Sequence, residues 1–263
     1  ALIETDGEAI SVFGPTGARS YTSAEREVVV AALAAAPSMA GRDDRAGVIG
    51  EAERIVTDAH AEAVERFLTD NAIAKGAVDV VGFHGQTIWH RPERRLTVQI
   101  GDGPALSKRF GIDVVSDFRA ADVAAGGQGA PFVPVYHRAL AAHAGLELPV
   151  VVLNLGGVGN VTYLSEEAPL AFDTGPANAL IDDWVSARAG VPFDENGRLA
   201  ARGRVDEDAV AELLAGFYFS VAPPKSLDRN DFSVSSLDRL SLEDGAATLA
   251  AFTAASVALA GDW

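Results

Sequence analysis

Apolar positions fall into blocks of different period, and the periods predict the elements. Ala1-Leu2-Ile3-Glu4 and Ala9-Ile10-Ser11-Val12-Phe13 flank Thr5-Asp6-Gly7-Glu8, which predicts two strands joined by a glycine-containing turn. Thr22 and Glu25 have capping-box spacing ahead of a Val/Ala/Leu-rich helix ending near Pro37. Val48, Ala52, Val56, Ala59, Ala63 and Phe67 recur at threes and fours, which predicts a longer helix from about Asp43 to Ile73. The period then shortens. Val78 to His84, Leu96 to Ile100 and Ile112 to Ser116 read as strands, with a short helix from Gly103-Pro104 to Phe110 between the last two. A glycine-rich stretch, Gly126 to Pro131, precedes a helix reaching about Ala144.

From Pro149 the scheme restarts. Val150–Leu155, Val158–Leu164 and Leu170–Asp173 are expected strands, Pro176–Ala189 is an expected helix, and an alanine-rich helix runs from Leu242 to Ala260. The restart predicts two α/β domains, residues 1–145 and 146–263, with ligand sites in the cleft between them. Gly156-Gly157 and Asp122 are both expected to face that cleft. The echo is one of architecture, without a residue-level repeat.

Composition narrows the function classes. Hydrophobic residues make up 48% of the 263, too many for a disordered chain. The formal net charge is −16, from 21 basic and 37 acidic side chains. Nucleic-acid binding needs a basic field, so no nucleic-acid partner is expected. An anionic ligand stays possible, because backbone N–H groups and a cation can set a local positive field. There is no cysteine, which excludes disulfides, thiol nucleophiles and zinc–cysteine sites. No run of about 18 apolar residues and no signal peptide is visible, so a cytoplasmic protein without a membrane partner is expected.

Four segments could carry chemistry. Leu153 to Asn160 holds Gly156, Gly157 and Gly159 between two strands. A dinucleotide fingerprint would need a helix after the glycines, so this reads either as a strand–turn–strand phosphate loop or as a plain hairpin. His84-Gly85-Gln86-Thr87 follows a buried strand, where polar residues meet ligands; local backbone bonding would equally satisfy His84. His84 and His90 do not make a helical metal pair. In Asp117-Phe118-Arg119 with Asp122, Asp122 could be a general base and Arg119 an anion holder, or the two could pair along a helix turn. Asp173-Thr174-Gly175-Pro176 stands at a strand-to-helix turn, where Asp173 could orient a cation or water and Thr174 is expected to cap the helix. The loop around Lys225, Asp228 and Arg229 reads as solvated.

Together these segments resemble the anhydro-N-acetylmuramic acid kinases of bacterial cell-wall recycling. The resemblance rests on Gly82 to Pro92, Ser116 to Arg119 through Gly126 to Pro131, Asn154 to Thr162, Phe172 to Pro176 with Asn178 and Asp182, Phe193 to Gly197, and Pro224-Lys225-Ser226. It implies two related actin-like, sugar-kinase ATPase domains around a nucleotide cleft. It also implies a reaction in which ATP, the 1,6-anhydro sugar and water give N-acetylmuramic acid 6-phosphate and ADP. Asp122 matches the base that activates water. His84, Gln86 and Arg119 are then sugar-binding residues. Asn154, Gly156, Gly157, Asn160, Asp173 and Gly175 are nucleotide-binding residues. ATP and Mg²⁺ are the expected cofactors, with the metal ligands unassigned, and a homodimer is an allowed assembly.

The family's Gly-Thr-Ser phosphate loop would precede Ala1, and its glycine-rich adenosine segment would follow Trp263. The chain is thus expected to be an internal piece of a longer enzyme, with little turnover alone. A hydrolase of the same fold working without ATP and a non-catalytic sugar or nucleotide sensor are the competing readings.

Overall fold

A computed structural model of the protein describes residues 1–227 and 232–263; Asp228 and Arg229 therefore lie outside the described residues. The fold is α/β, with several small sheets and helices. The chain divides into two compact units, Ala1–Ala130 and Pro131–Trp263. The helix after the glycine-rich stretch thus goes with the second unit, whereas the sequence reading divides the chain near residue 145.

In the first unit, β1 (Ile3–Thr5) and β2 (Ile10–Phe13) form the expected antiparallel hairpin. Helix α1 (Ser23–Ala35) opens with a complete capping box: Thr22 Oγ1 accepts from Glu25 N–H, and the Glu25 carboxylate accepts from Thr22 N–H. Helix α2 (Val48–Asp70) starts five residues later than its periodicity predicts. Its would-be first turn unwinds because Asp44 carboxylate oxygens accept the Ala40 and Ala46 N–H groups, and Gly47 turns the chain at φ +57°.

β3 (Val80–Phe83) pairs in parallel with β6 (Asp113–Ser116), residue 80 opposite 113. Between them in sequence, β4 (Gln86–Arg91) and β5 (Leu96–Ile100) make an antiparallel ladder. Strand β4 was not expected; its mixed sequence QTIWHR lacks an apolar run, and pairing with β5 supplies what propensity does not. Helix α3 (Gly103–Phe110) is capped by Asp102 and stopped by Gly111 in the left-handed conformation. A short α4 (Ala120–Ala125) follows β6. Ala52 and Val56 of α2, Phe83, Val98, Ile100 and Leu106 meet in one core.

In the second unit, α5 (Pro134–His143) precedes an antiparallel meander of β7 (Val150–Leu155), β8 (Val158–Leu164) and β9 (Leu170–Pro176). Then come α6 (Asn178–Ala189), α7 (Glu207–Leu214) and α8 (Leu242–Leu259). Strand β9 runs three residues past its expected end, so α6 begins at Asn178 rather than Pro176. By length and composition alone, Leu242–Asp262 could cross a membrane. Its Ala246, Leu249 and Phe252, however, form a core with Trp184 and Val185 of α6 and Leu213 of α7.

Gly245 shows how closely α8 and α6 approach. A Cβ placed there would overlap the Trp184 ring, whose Nε1–H donates to Leu242 O at 3.0 Å. Glycine ordinarily costs a helix about 1 kcal/mol relative to alanine. Gly245→Ala should reverse that sign and destabilise the second unit by about 1–3 kcal/mol, the usual cost of overpacking. Urea denaturation followed by Trp fluorescence measures it, and a stabilised Gly245→Ala protein would contradict this packing.

Candidate active site

The ends of β3 and β6 deliver the first group of residues. Gly82 and Phe83 lead into His84, and Ser116 leads into Asp117, Phe118 and Arg119. The parallel register, Phe83 opposite Ser116, sets these two chain exits side by side. Gly85 follows at φ +66°, with Ile100 O only 2.5 Å from where a Cβ would stand, so a side chain is excluded there.

Gln99 ties the two exits together. It is buried on β5, its Nε2 donates to His84 O at 2.8 Å, and its Oε1 accepts Arg119 N–H at 3.1 Å. The sequence reading missed Gln99. Its signal was present: an amide within the apolar run LTVQI must find partners if buried.

The Arg119 guanidinium donates to Gly129 O at 2.7 Å and to His84 Nε2 at 3.2 Å. Arginine has only donors, so Nε2 accepts, and Nδ1 carries the proton given to Gly85 O at 3.0 Å. The alternative pairing of Arg119 with Asp122 is not formed among the described residues. Asp122, in the first turn of α4, accepts Gly129 N–H through Oδ2 at 2.7 Å, and its carbonyl accepts Gly127 N–H at 2.8 Å. Residues 126–129 therefore fold over the Asp122 side chain. A Cβ on Gly127 would overlap the carboxylate, and one on Gly129, at φ +66°, would overlap Val123. Asp122 is nonetheless exposed, and Oδ1 carries none of these bonds.

His84, Arg119 and Asp122 are thus brought into one network by Gln99 and the glycine loop. Gln86 is not part of it; its Nε2 donates locally to Thr87 O at 3.0 Å. His90 stands beneath the loop instead, hydrogen-bonded through Nδ1 to Thr97 Oγ1 at 3.0 Å across β4–β5 and to the Gln128 backbone. Burial first, and then the Arg119 charge, push its pKa below the ordinary imidazole value.

The second group lies on the β7–β8–β9 meander. The register places Asn154 opposite Asn160, and Asn160 opposite Asp173, so three polar side chains form one cross-strand row beside the hairpin turn. A bulge at Gly159/Asn160 makes this possible by skipping Thr174. Thr174 does not cap α6, contrary to expectation. It is buried inside β9, Oγ1 finds no partner among the described residues, and the N-cap position is Ala177. The start of α6 is held by the hairpin itself: Gly156 O accepts Asn178 N–H at 2.9 Å, Gly157 O accepts Ala177 N–H at 3.0 Å, and Asn178 Nδ2 donates to Leu155 O at 2.8 Å.

The glycines divide by cause. At Gly159 a Cβ would meet Thr174 Oγ1 at 2.8 Å, and at Gly175 it would meet Ser256 at 2.8 Å, so internal packing requires both. Gly156 and Gly157 have no such reason. Neither has a positive φ, and a Cβ there would find its nearest neighbours at 3.6 Å and 3.4 Å, ordinary contact distances. Glycine at these two positions leaves the turn open to approach from outside.

Asp173 is anchored by the loop that sequence alone reads as solvated. Its N–H donates to Lys225 O at 3.1 Å, Oδ2 accepts Leu227 N–H at 2.8 Å, and its carbonyl accepts Tyr218 Oη–H at 2.6 Å. Burial pushes its carboxyl pKa up, partly offset by the Leu227 N–H. Lys225 Nζ donates to Tyr218 O at 3.2 Å and lies among the rings of Tyr218, Phe172 and Trp263, and burial lowers its pKa. Asn178, Asp182, Phe193 and Asp194 line one cavity of about 380 Å³. Asp194 shapes its rim, accepting Leu199 N–H and Ala200 N–H at 2.8 and 3.0 Å.

For a metal, no cluster of three or more His, Asp or Glu groups is found among the described residues. The row of one carboxylate and two amides still suits Mg²⁺, which is commonly held by one or two carboxylates together with substrate phosphates.

The first unit thus offers a held carboxylate linked through Gly129 to an arginine, and the second an open glycine turn beside a polar row; groups of both kinds serve phosphoryl transfer in general. The family model for anhydro-N-acetylmuramic acid kinase matches residues 34–261. An anhydro-N-acetylmuramic acid kinase of Rhodopseudomonas palustris (strain HaA2) is 58% identical over 98% of this chain and 71% of its own length. One from Nitrobacter winogradskyi is 57% identical with the same coverage, and one from Methylobacterium nodulans is 56% identical over 100% of this chain and 73% of its own length. The chain belongs to the anhydro-N-acetylmuramic acid kinase family.

The neutral imidazole of His90 yields a pH prediction. Its folded-state pKa lies below the unfolded value near 6.5. The unfolded chain therefore binds more protons between the two values, and stability rises with pH there. The contribution is fully present above about pH 6.5 and is lost as pH falls through the folded pKa. Denaturation midpoints between pH 7.5 and 5 should decline in the parent protein and decline less in His90→Gln; parallel curves would show that His90 does not titrate as described.

Proposed function

We propose that the chain is the sugar-kinase-type enzyme that its family membership indicates, and that its residues work as follows. The reaction consumes 1,6-anhydro-N-acetylmuramic acid, water and ATP and yields N-acetylmuramic acid 6-phosphate and ADP, a step of peptidoglycan recycling. The observation that carries this reading is the family match over residues 34–261. The finer fold reading, two related actin-like sugar-kinase ATPase halves, is part of the proposal, as are the cytoplasmic location and a homodimeric assembly. The β7–β8–β9 meander with its glycine turn supports the fold reading.

Asp122 is the base. Oδ2 is fixed by Gly129 N–H, which leaves Oδ1 to take a proton from water. The water oxygen bonds to the anomeric carbon, the bond from that carbon to the 6-oxygen breaks, and the freed 6-oxygen attacks the γ-phosphorus as ADP leaves. Arg119 and His84 bind and orient the sugar, aided by Gln86; Arg119, spent on Gly129 O and His84, also holds the loop over Asp122. On the meander, Gly156 and Gly157 admit the phosphates, with Gly175 supporting their strand. Asn154, Asn160 and Asp173 face the nucleotide and its Mg²⁺. Bound Mg²⁺ supplies charge neutralisation on the phosphates, and positioning does most of the remaining work.

Asp122→Asn keeps the shape and the Gly129 bond while removing the proton acceptor. In the intact enzyme kcat should fall by roughly 10²–10⁴-fold, with sugar and ATP affinity changing far less. Near-normal kcat would remove Asp122 from the mechanism. Ring opening at full rate without ATP would favour the hydrolase reading instead.

Gly157→Val tests the phosphate approach at a position where a Cβ meets only Ala179, at 3.4 Å. ATP affinity measured by calorimetry should weaken more than tenfold, about 1.4 kcal/mol, with the thermal midpoint little changed. Unaltered affinity in the folded variant would exclude this turn from the nucleotide site.

A further inference from the structure

Two close approaches fix where Gln99 stands. Ile100 O lies 2.5 Å from where a Gly85 Cβ would be, and a Cβ on Gly101, at φ +135°, would overlap the Phe83 ring. The end of β5 is thereby pressed against the exit of β3, and Gln99, one residue before Ile100, comes within reach of both chain exits. Its amide can lie only one way round. The His84 carbonyl can only accept and the Arg119 N–H can only donate, so Nε2 faces the first and Oε1 the second.

The three residues close a ring of hydrogen bonds. Gln99 holds the main chain of His84 and of Arg119, and the two side chains then meet each other, Arg119 Nη2 donating to His84 Nε2 at 3.2 Å. Phe118, between the exit of β6 and Arg119, stands edge-on to the His84 imidazole with ring centroids 6.3 Å apart. Gln99 is only 6% exposed and so is withheld from a ligand, whereas His84 is exposed and Arg119 is half-buried.

We infer that Gln99 is a positioning residue for sugar binding: its amide fixes the spacing of His84 and Arg119, so that the two side chains present one preformed polar surface to the anhydro sugar. This rests on the kinase reading above and on its sugar residues, and it is independent of which carboxylate activates water. Such preorganisation is recovered as affinity, because the two exits are ordered on folding and not at the moment of binding.

The test measures sugar and nucleotide binding separately on the intact enzyme, by calorimetry with the 1,6-anhydro sugar and with a non-hydrolysable ATP analogue. Gln99→Met keeps the length of the side chain and removes both arms. Gln99→Glu keeps its size and loses the donor to the His84 carbonyl. In either variant sugar affinity should fall about tenfold or more, the scale of coupling within one hydrogen-bond network, with affinity for the ATP analogue unchanged. In an Arg119→Ala background, Gln99→Met should add less than about threefold, because one of the two groups it spaces is gone. A loss that multiplies in full with that of Arg119→Ala, or that falls equally on sugar and nucleotide, would show general loosening of the unit and overturn the positioning role. If Gln99→Met does not fold, Gln99→Glu decides on the same two affinities. A parent enzyme without ATP-dependent turnover of the sugar brings down the kinase reading and this inference with it; normal parent turnover, with a folded Gln99 variant that binds sugar as the parent does, overturns this inference alone.

Discussion

A single buried amide holds the first-unit site together. Gln99 spends its donor on the His84 carbonyl and its acceptor on the Arg119 N–H, and so joins the chain leaving β3 to the chain leaving β6. Both strands end there, and beyond the last ladder pair, Phe83 opposite Ser116, this amide carries the link on. With the exits fixed, the Arg119 guanidinium reaches His84 and Gly129, the glycine loop closes over Asp122, and His90 packs beneath it. An apolar residue at 99 would remove the one side chain that bonds both the His84 carbonyl and the Arg119 N–H. The amide is therefore a constraint on this region as well as a piece of core.

The two units use glycine differently. Around Asp122 the glycines are forced from within, because the chain doubles back so closely that side chains would strike the carboxylate or Val123. At Gly156-Gly157 the fold makes no such demand, and the turn is left open. Gly159 and Gly175 look the same in the sequence yet serve packing against Thr174 and Ser256. A glycine-rich motif is thus a mixture of positions that packing requires and positions that it does not, and the atoms met by an imagined Cβ separate them.

Charge tells a related story. Asp173 and Lys225 are both partly withdrawn from water, which shifts each toward its neutral form. They are linked through the backbone, Asp173 N–H to Lys225 O, and through Tyr218, whose hydroxyl and carbonyl serve one residue each. The loop carrying Lys225 is therefore built onto β9. A polar loop read from composition alone looks solvated, because composition carries no information about which strand edge a loop will meet.

Much of the secondary structure was determined locally. The capping box at Thr22 and Glu25, the Asp102 and Gly111 ends of α3, and the strands β5, β7 and β8 are decided by side chains within a few residues, and their bounds follow the pattern closely. The family was legible for the same reason, since its motifs are contiguous. Where distant partners decide, the sequence was silent or misleading. The pattern extends α2 to Asp43, but Asp44 binds backbone there instead. It ends β9 at Asp173, but the ladder with β8 carries the strand on and buries Thr174. It offers Asp122 as partner for Arg119, but His84 and Gly129 take the guanidinium. Gln99 and the Arg42–Asp117 ion pair join residues 15 to 75 positions apart. Periodicity records which face of an element is apolar, whereas hydrogen-bond partnership between elements depends on register and approach, and these exist only once the chain has packed.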